Sequence, residues 1–96
     1  MANFTFEDQG NQIVLLDSTI GEQVGEIAFL ESENTLIIVH TGVEPNYRHQ
    51  GLAEQLVFQV VEKARQEGKK IFPICPFAKK EFDEKADYAD VLQVDD

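Results

Sequence analysis

Several features that would define other classes of protein are missing from this 96-residue chain. No apolar run approaches the roughly 20 residues that a membrane-spanning helix needs. The first ten residues, MANFTFEDQG, carry neither a basic leader nor a long apolar stretch. There is also no internal repeat, low-complexity segment or linker. We therefore expect a cytoplasmic protein that binds no membrane, with one domain over residues 1–96, because a chain of this length supports a single core.

Cysteine is nearly absent, and Cys75 is the only one in the chain. A single thiol cannot form an internal disulfide bond or a multi-cysteine zinc site. It is either a small buried apolar side chain or a group whose chemistry is used. Composition leaves both alternatives open.

Basic residues are missing from the first half of the chain. Residues 1–47 contain eight acidic residues and no Lys or Arg, and the whole chain has a formal net charge of −10. Such a surface repels a phosphate backbone, so nucleic acid is an unsuitable partner. It eases the approach of a cationic substrate, although acidic residues also serve solubility alone.

The hydrophobic pattern predicts an α+β fold. NFTFE, QIVLLDS, VGEIAFLE and TLIIVHTGV read as four strands within residues 1–43, and the short turns between them indicate an antiparallel meander. Residues 44–67 form a loop and then a helix, predicted from Gln50 to Glu67 by apolar residues at helical spacing. The segment 70–75 is predicted to be a strand parallel to the fourth, because a strand, a helix and a strand make a crossover. Residues 76–92 are predicted to be helical in part.

A basic, glycine-containing turn, RHQGLA, lies where the predicted helix begins. Helix N-termini have unpaired N–H groups and partial positive charge, which attract anions. Gly51 would let an anion approach the backbone, and Arg48 and His49 add donors. The turn is either a phosphate cradle or an ordinary strand–helix connection. It is neither a Walker A loop, which needs Gly-Lys-Ser/Thr, nor a three-glycine dinucleotide fingerprint.

The spacing Arg-x-x-Gly-x-Ala, at Arg48, Gly51 and Ala53, resembles motif A of the GNAT superfamily of acetyl-CoA-dependent N-acetyltransferases. Four motifs over about residues 38–92, VHTGVEP, RHQGLA, CPF and YADVL, are similar to those of a small single-domain GNAT-like family, the YjdJ type. Its members read VHTEVP, RGKGIA, CPF and YADLV. The resemblance implies a reduced GNAT-like fold: a four-strand antiparallel meander, the motif-A helix, a parallel fifth strand and a C-terminal helix.

The same resemblance implies the ligands and where they bind. Acetyl-CoA would be the cofactor, and an amine, either a small molecule or a protein group, would be the acceptor. We expect a monomer and not an obligate oligomer. The pantetheine arm would pair with the fourth strand in a gap beside the fifth. The cofactor-binding residues implied in this way are Thr41, Gly42, Val43, Arg48, His49, Gln50, Gly51, Leu52 and Ala53.

Two departures from the large GNAT enzymes bear on catalysis. Those enzymes carry one or two helices between the first two strands and two strands after the last helix, whereas DQGN alone separates the first two strands here. We therefore expect an acceptor site that is shallow and open, or one completed by another protein. The tyrosine that can protonate the departing CoA thiolate in many GNAT enzymes corresponds to Phe82, and Cys75 takes the place of an asparagine.

Cys75 and His40 are the candidate catalytic residues. Cys75 precedes an expected helix, whose dipole favours the thiolate. Alternation places His40 on the face of Leu36 and Ile38, partly buried, on the strand beside the last one. A Cys–His pair would allow a covalent acetyl-cysteine route. The alternatives are a packed thiol and a histidine bonded to backbone. The leading interpretation is therefore an N-acetyltransferase, and the other is a non-catalytic acyl-CoA-binding or sensing module that acts through a partner protein.

Overall fold

A five-stranded sheet organises the chain, of which the computed structural model describes residues 3–93. The strands lie side by side in chain order. The first four pair antiparallel, and the fifth pairs parallel to the fourth, so the predicted meander and crossover are confirmed. Their bounds are β1 Phe4–Asp8, β2 Gln12–Asp17, β3 Glu22–Ser32, β4 Thr35–Val43 and β5 Lys70–Pro73.

Two α-helices accompany the sheet, α1 over Leu52–Glu67 and α2 over Pro76–Glu84. A 3₁₀ turn over Pro45–Tyr47 precedes α1, and a 3₁₀ helix over Ala86–Val91 follows α2. Helix α1 begins two residues later than predicted, because Gly51 has a φ of 77°, which is not helical. No helix among residues 3–93 is long and apolar enough to cross a membrane.

Both helices pack on one face of the sheet and leave the other face open. The apolar face of α1 is fully buried, as its helical spacing predicts. Ala78 and Phe82 of α2 join the same core as Ile27 and Phe29 of β3. On the opposite face, large apolar side chains such as Leu30 stay exposed. The core residues from α1 are Leu52, Leu56, Val57, Val60, Val61 and Ala64.

A β-bulge interrupts the pairing of β3 with β4. Phe29 pairs with Ile38, but the preceding residue, Ala28, pairs with His40. Strand β4 therefore contains one extra residue, Val39, and its side-chain alternation is reset after that point. This reset decides which face each site residue of β4 occupies.

Strand β5 is shorter than the predicted segment 70–75, and it leaves β4 early. Its pairing with β4 ends at Ile38 and Pro73. Just beyond, the N–H groups of Ile74 and Cys75 both donate to the Ile38 carbonyl, at 3.0 Å each. Two donors on one carbonyl end the ladder, and the chain turns into α2. The two strands therefore part after Ile38.

Candidate active site

The last part of β4 has a backbone edge that no strand covers on the β5 side. Thr41, Gly42 and Val43 pair with β3, yet within residues 3–93 they have no partner across from β5. An unpaired strand edge offers N–H and C=O groups to an extended ligand. The structure thus contains the gap between the fourth and fifth strands that the resemblance to GNAT proteins implies.

A part-buried hydrogen bond anchors the loop between β4 and α1. The Tyr47 hydroxyl donates to Asp17 Oδ2 at 2.8 Å, and the Tyr47 ring packs edge-on against Phe4. Asp17 is only 4% exposed, and its other oxygen accepts the N–H of Thr19. The bond from Tyr47 lowers the pKa of Asp17 and raises the pKa of Tyr47 itself. The loop is therefore fixed to the end of β2.

The loop presents its backbone at the beginning of α1. His49 and Gly51 both have left-handed backbone angles, with φ of 66° and 77°. Among the side chains that the structure describes, none caps α1. Within residues 3–93, moreover, the N–H groups of Leu52, Ala53 and Glu54 donate to no protein acceptor. Alternating backbone handedness and free N–H groups form a concave anion site. The Arg48 side chain connects this loop to the strand edge, because its Nε donates to the Val43 carbonyl at 3.0 Å.

A cleft of about 430 Å³ joins the strand edge to the loop. Of the nine residues predicted to bind the cofactor, all except Gln50 line it. Tyr47, Glu54 and Phe77 also line the cleft and were missed by the sequence reasoning. Tyr47 carried no local signal, because its role depends on Asp17, which is 30 residues away in the chain.

Cys75 lies at the N-terminus of α2, as predicted, and is 7% exposed. Its thiol contacts Thr41 Oγ1 at 3.7 Å, across the gap between the parted strands. Burial raises the pKa of the thiol. The N–H of Ala78, the Thr41 hydroxyl and the N–H of Phe77 stabilise the thiolate, and the net pKa is lowered. The thiol is therefore packed, and hydrogen bonds from the start of α2 and from Thr41 lower its pKa.

His40 does not lie where alternation predicts. Its side chain is 59% exposed, on the open face of the sheet and away from the core face that holds Ile38. The extra residue at Val39 causes this reversal, so the prediction of a partly buried His40 on the face of Leu36 and Ile38 is wrong. His40 Nε2 instead approaches Glu26 Oε1 at 3.3 Å.

The same reversal separates the two candidate catalytic residues. Thr41, which Cys75 contacts, follows His40 directly and pairs with the core residue Ile27. Successive residues of a strand point to opposite faces. The Cys75–His40 pair expected from topology is therefore not formed.

A second concave region lies on the open face, beside the same strand edge. It has a volume of about 350 Å³ and shares Gly42, Val43 and Arg48 with the cleft. Glu26, His40 and Glu44 line it, and we call it the acidic pocket. The His40 ring lies directly over Gly42, since a Cβ on that glycine would stand 3.0 Å from His40 Nε2. The carboxylates of Glu26 and Glu44 outnumber the one guanidinium of this lining, that of Arg48, which suits a cationic group.

Phe82, the counterpart of the GNAT tyrosine, is buried against the ring of Tyr88, with their centroids 5.4 Å apart. Burial is the main cause that raises the pKa of Tyr88. Within residues 3–93, neither ring lines the cleft. The side chains of Phe82 and Tyr88 therefore serve packing.

Comparison with known proteins agrees with this geometry. A family model described as GCN5-related N-acetyl-transferase matches residues 12–91. The solution structure of a GCN5-like protein from Staphylococcus aureus is 30% identical and has a TM-score of 0.77. The match covers 100% of this chain and 94% of that one. A search among the sequences of characterised proteins gave no significant match.

More distant structures share the fold alone. YhbS from Escherichia coli, a GNAT-family protein solved with CoA, is 18% identical with a TM-score of 0.66, over 84% of this chain and 67% of that one. N-acetylglutamate synthase from Neisseria gonorrhoeae, solved with coenzyme A and N-acetyl-glutamate, is 22% identical with a TM-score of 0.64. That match covers 77% of this chain but only 18% of the synthase. The family match and the full-length likeness together show that this chain belongs to the GCN5-related N-acetyltransferase (GNAT) family.

Proposed function

We propose that this protein transfers the acetyl group of acetyl-CoA to an amine. The observation that carries the proposal is the parting of β4 and β5 after Ile38, directly beside the uncapped N-terminus of α1. An unpaired strand edge and an anion site then share one cleft. Family membership and the CoA-bound neighbours support the same assignment. The proposal includes the cytoplasmic location that the sequence leads us to expect.

The residues of the cleft fit acetyl-CoA. Thr41 to Val43 offer backbone groups to the amide-bearing pantetheine arm, which is itself an extended chain. The free N–H groups at the start of α1 suit the pyrophosphate, and Gly51 leaves open space there because a Cβ would meet no atom within 4 Å. When bound, acetyl-CoA supplies an activated acetyl thioester.

The transfer has a simple balance. The amine loses one proton, its nitrogen forms a bond to the thioester carbonyl carbon, and the carbon–sulfur bond breaks. The sulfur leaves as a thiolate and takes up a proton, which gives an amide and CoA. In this proposal the acidic pocket receives the amine on the open face. His40, oriented by Glu26, accepts the amine proton there.

Two routes are compatible with the position of Cys75. In the direct route, the amine attacks acetyl-CoA itself. In the covalent route, the Cys75 thiolate attacks first, CoA leaves, and the amine then takes the acetyl group from the cysteine. The lowered pKa of Cys75 supports the covalent route, whereas its 7% exposure favours the direct one.

The second candidate function is a non-catalytic acyl-CoA-binding or sensing module that acts through a partner. Its support is the position of Phe82, where a phenylalanine cannot protonate a leaving thiolate, and the burial of Tyr88. Both functions predict CoA binding in the cleft. They differ in whether an amine is acetylated.

One set of measurements separates these possibilities. Titration with CoA should shift the amide resonances of residues 41–43 and 48–54 in NMR spectra of the labelled protein. Mixing with acetyl-CoA and n-butylamine should release free CoA thiol and form N-butylacetamide. Resonance shifts without acetyl transfer to the amine would support the binding module and exclude the enzyme. The absence of any resonance shift would overturn the assignment of CoA to the cleft.

The route is decided by intact-protein mass. Acetyl-CoA alone should add one acetyl group to the protein in the covalent route, and Cys75→Ser should abolish that adduct together with most of the transfer. If Cys75→Ala keeps full transfer to n-butylamine, the direct route holds. His40→Gln tests the proton acceptor: it should lower kcat for n-butylamine, with an unchanged dissociation constant for CoA.

A further inference from the structure

The open face of the sheet carries a row of apolar side chains. Leu30 of β3 pairs with Ile37 of β4, and Ile37 pairs with Phe72 of β5. Cross-strand partners on one face are in contact, so the three form a continuous strip, here called the apolar row. Leu30 is 59% and Phe72 39% exposed. Adjoining exposed apolar side chains mark interaction sites, whereas scattered ones do not.

The apolar row leads into the acidic pocket. Along β3, every second residue lies on the open face, which gives the sequence Leu30, Ala28, Glu26. Ala28 pairs with His40, and Glu26 contacts His40. Leu30 and Glu26 are four residues apart, which is about 13 Å at roughly 3.3 Å per residue. In an extended peptide that lies along β3, two side chains four residues apart are separated by the same distance and lie on the same face.

The charge of this face selects the partner. Strands β1 to β4 lie within residues 1–47, which contain no Lys or Arg. Glu7 and Glu26 project from the open face, and Glu44 lines the pocket beside it. These three carboxylates outnumber the two basic side chains of the same surface, Arg48 in the pocket and Lys70 beside Phe72 on β5. A second copy would bring the same acidic residues against each other. A basic polypeptide has the complementary charge.

We propose that the open face docks an extended basic polypeptide, with one lysine in the acidic pocket and an apolar side chain four residues away on the apolar row. The acetyl acceptor is then the Nζ amine of a protein lysine, with the same atom balance as given above. The transfer step rests on the proposed function, whereas the docking does not.

Two peptides test the spacing. The first peptide has a single lysine, one leucine four residues before it and one leucine four residues after it. All its other residues are Gly, Ser or Arg. The other has the same composition with the leucines at three residues' distance, where an extended chain points them to the opposite face. The first peptide should have a kcat/KM about tenfold above the second, because burying leucine is favourable. Equal values for the two peptides would refute the proposed register.

Two variants and a matched control test the surface. Leu30→Ser and Phe72→Ser should each lower kcat/KM for the first peptide about tenfold, with no change for n-butylamine. Phe58→Ser is the control, since Phe58 is 40% exposed, as Phe72 is at 39%, but lies on α1 across the molecule. It should change neither rate. Equal losses in Phe58→Ser and Phe72→Ser would contradict the docking surface.

Docking is separable from catalysis. If neither peptide nor n-butylamine is acetylated, the proposed function fails, but the first peptide should still shift the amide resonances of Leu30, Ile37 and Phe72. No such shifts would overturn the docking proposal. It would also be overturned by a concentration-dependent dimer in sedimentation that Leu30→Ser abolishes, because the apolar row would then be a contact between copies.

Discussion

Substitution of two glycines at opposite ends of α1 separates cofactor binding from folding. Gly51 precedes the helix with a φ of 77°, and Gly68 follows it with a φ of 67°. A Cβ added at either position meets no atom within 4 Å. Gly51 lines the cleft, whereas Gly68 lies at the other end of α1, away from the cleft. Gly51→Ala and Gly68→Ala are therefore matched in strain and differ in location.

The magnitudes follow from the geometry. With no steric clash, each substitution costs what an L-residue pays for the left-handed conformation, about 1–2 kcal/mol. For a chain of this size, each kcal/mol corresponds to a decrease in Tm of about 4–8 °C. Gly51→Ala also puts a methyl group where the pyrophosphate should approach. If one charge-assisted hydrogen bond is lost, at about 1.5–3 kcal/mol, CoA binds about 10- to 150-fold more weakly.

Thermal unfolding and calorimetric titration with CoA measure the two effects. Both variants should show similar decreases in Tm, and Gly51→Ala alone should lose CoA affinity. Titrations are run well below both melting temperatures, so that each variant is folded. Equal CoA affinity in the two variants would refute the anion site at the start of α1. A large loss of affinity in Gly68→Ala would show that helix stability, and not proximity, governs binding.

Three further predictions concern single side chains near the cleft. Tyr47→Phe removes the donor to a buried carboxylate, so Tm should fall and CoA should bind several-fold more weakly; unchanged values in both assays would contradict the anchoring role. His49→Gly should unfold at a higher temperature than His49→Ala, because its φ of 66° suits glycine; the reverse order in a thermal melt would show that the strain is negligible. Because the pKa of Cys75 is lowered, its alkylation rate should reach half of its maximum at a pH below the ordinary thiol pKa. For the same reason, the folded state should gain stability as the pH rises through the lowered pKa. Thr41→Val should move the alkylation midpoint upward, and a wild-type midpoint at or above the ordinary value would contradict the stabilised thiolate.

Much of the site was predictable because motif A is local. Arg48, Gly51 and Ala53 are close in the chain, and the backbone between a strand and a helix has few ways to turn. Gly51 needs its left-handed angle for the reason that makes glycine common in such turns. The same holds at His49, where the similar family has glycine and this chain keeps the left-handed angle. Five of the six cofactor residues predicted in this turn, all except Gln50, line one cleft for this reason.

The residues that were missed or misplaced depend on contacts between distant parts of the chain. Tyr47 matters because of Asp17, and nothing near either residue indicates the other. His40 was assigned to the wrong face because period-two alternation counts every residue, whereas a bulge adds one that pairs with nothing. That bulge forms against β3, so β4 alone does not reveal it.

The sequence by itself determined the elements and their order. Apolar periodicity specified four strands, a helix and a fifth strand, and short turns left a meander as the simplest arrangement. It also determined the charge of the strands, because residues 1–47 contain acidic residues and no lysine or arginine, so β1 to β4 carry no lysine or arginine of their own. Tertiary structure decided where the strands part and which face each side chain occupies. Both depend on contacts between strands, namely the hydrogen bonds to the Ile38 carbonyl from the residues after β5 and the bulge at Val39 against β3. Such contacts exist only after the strands have met.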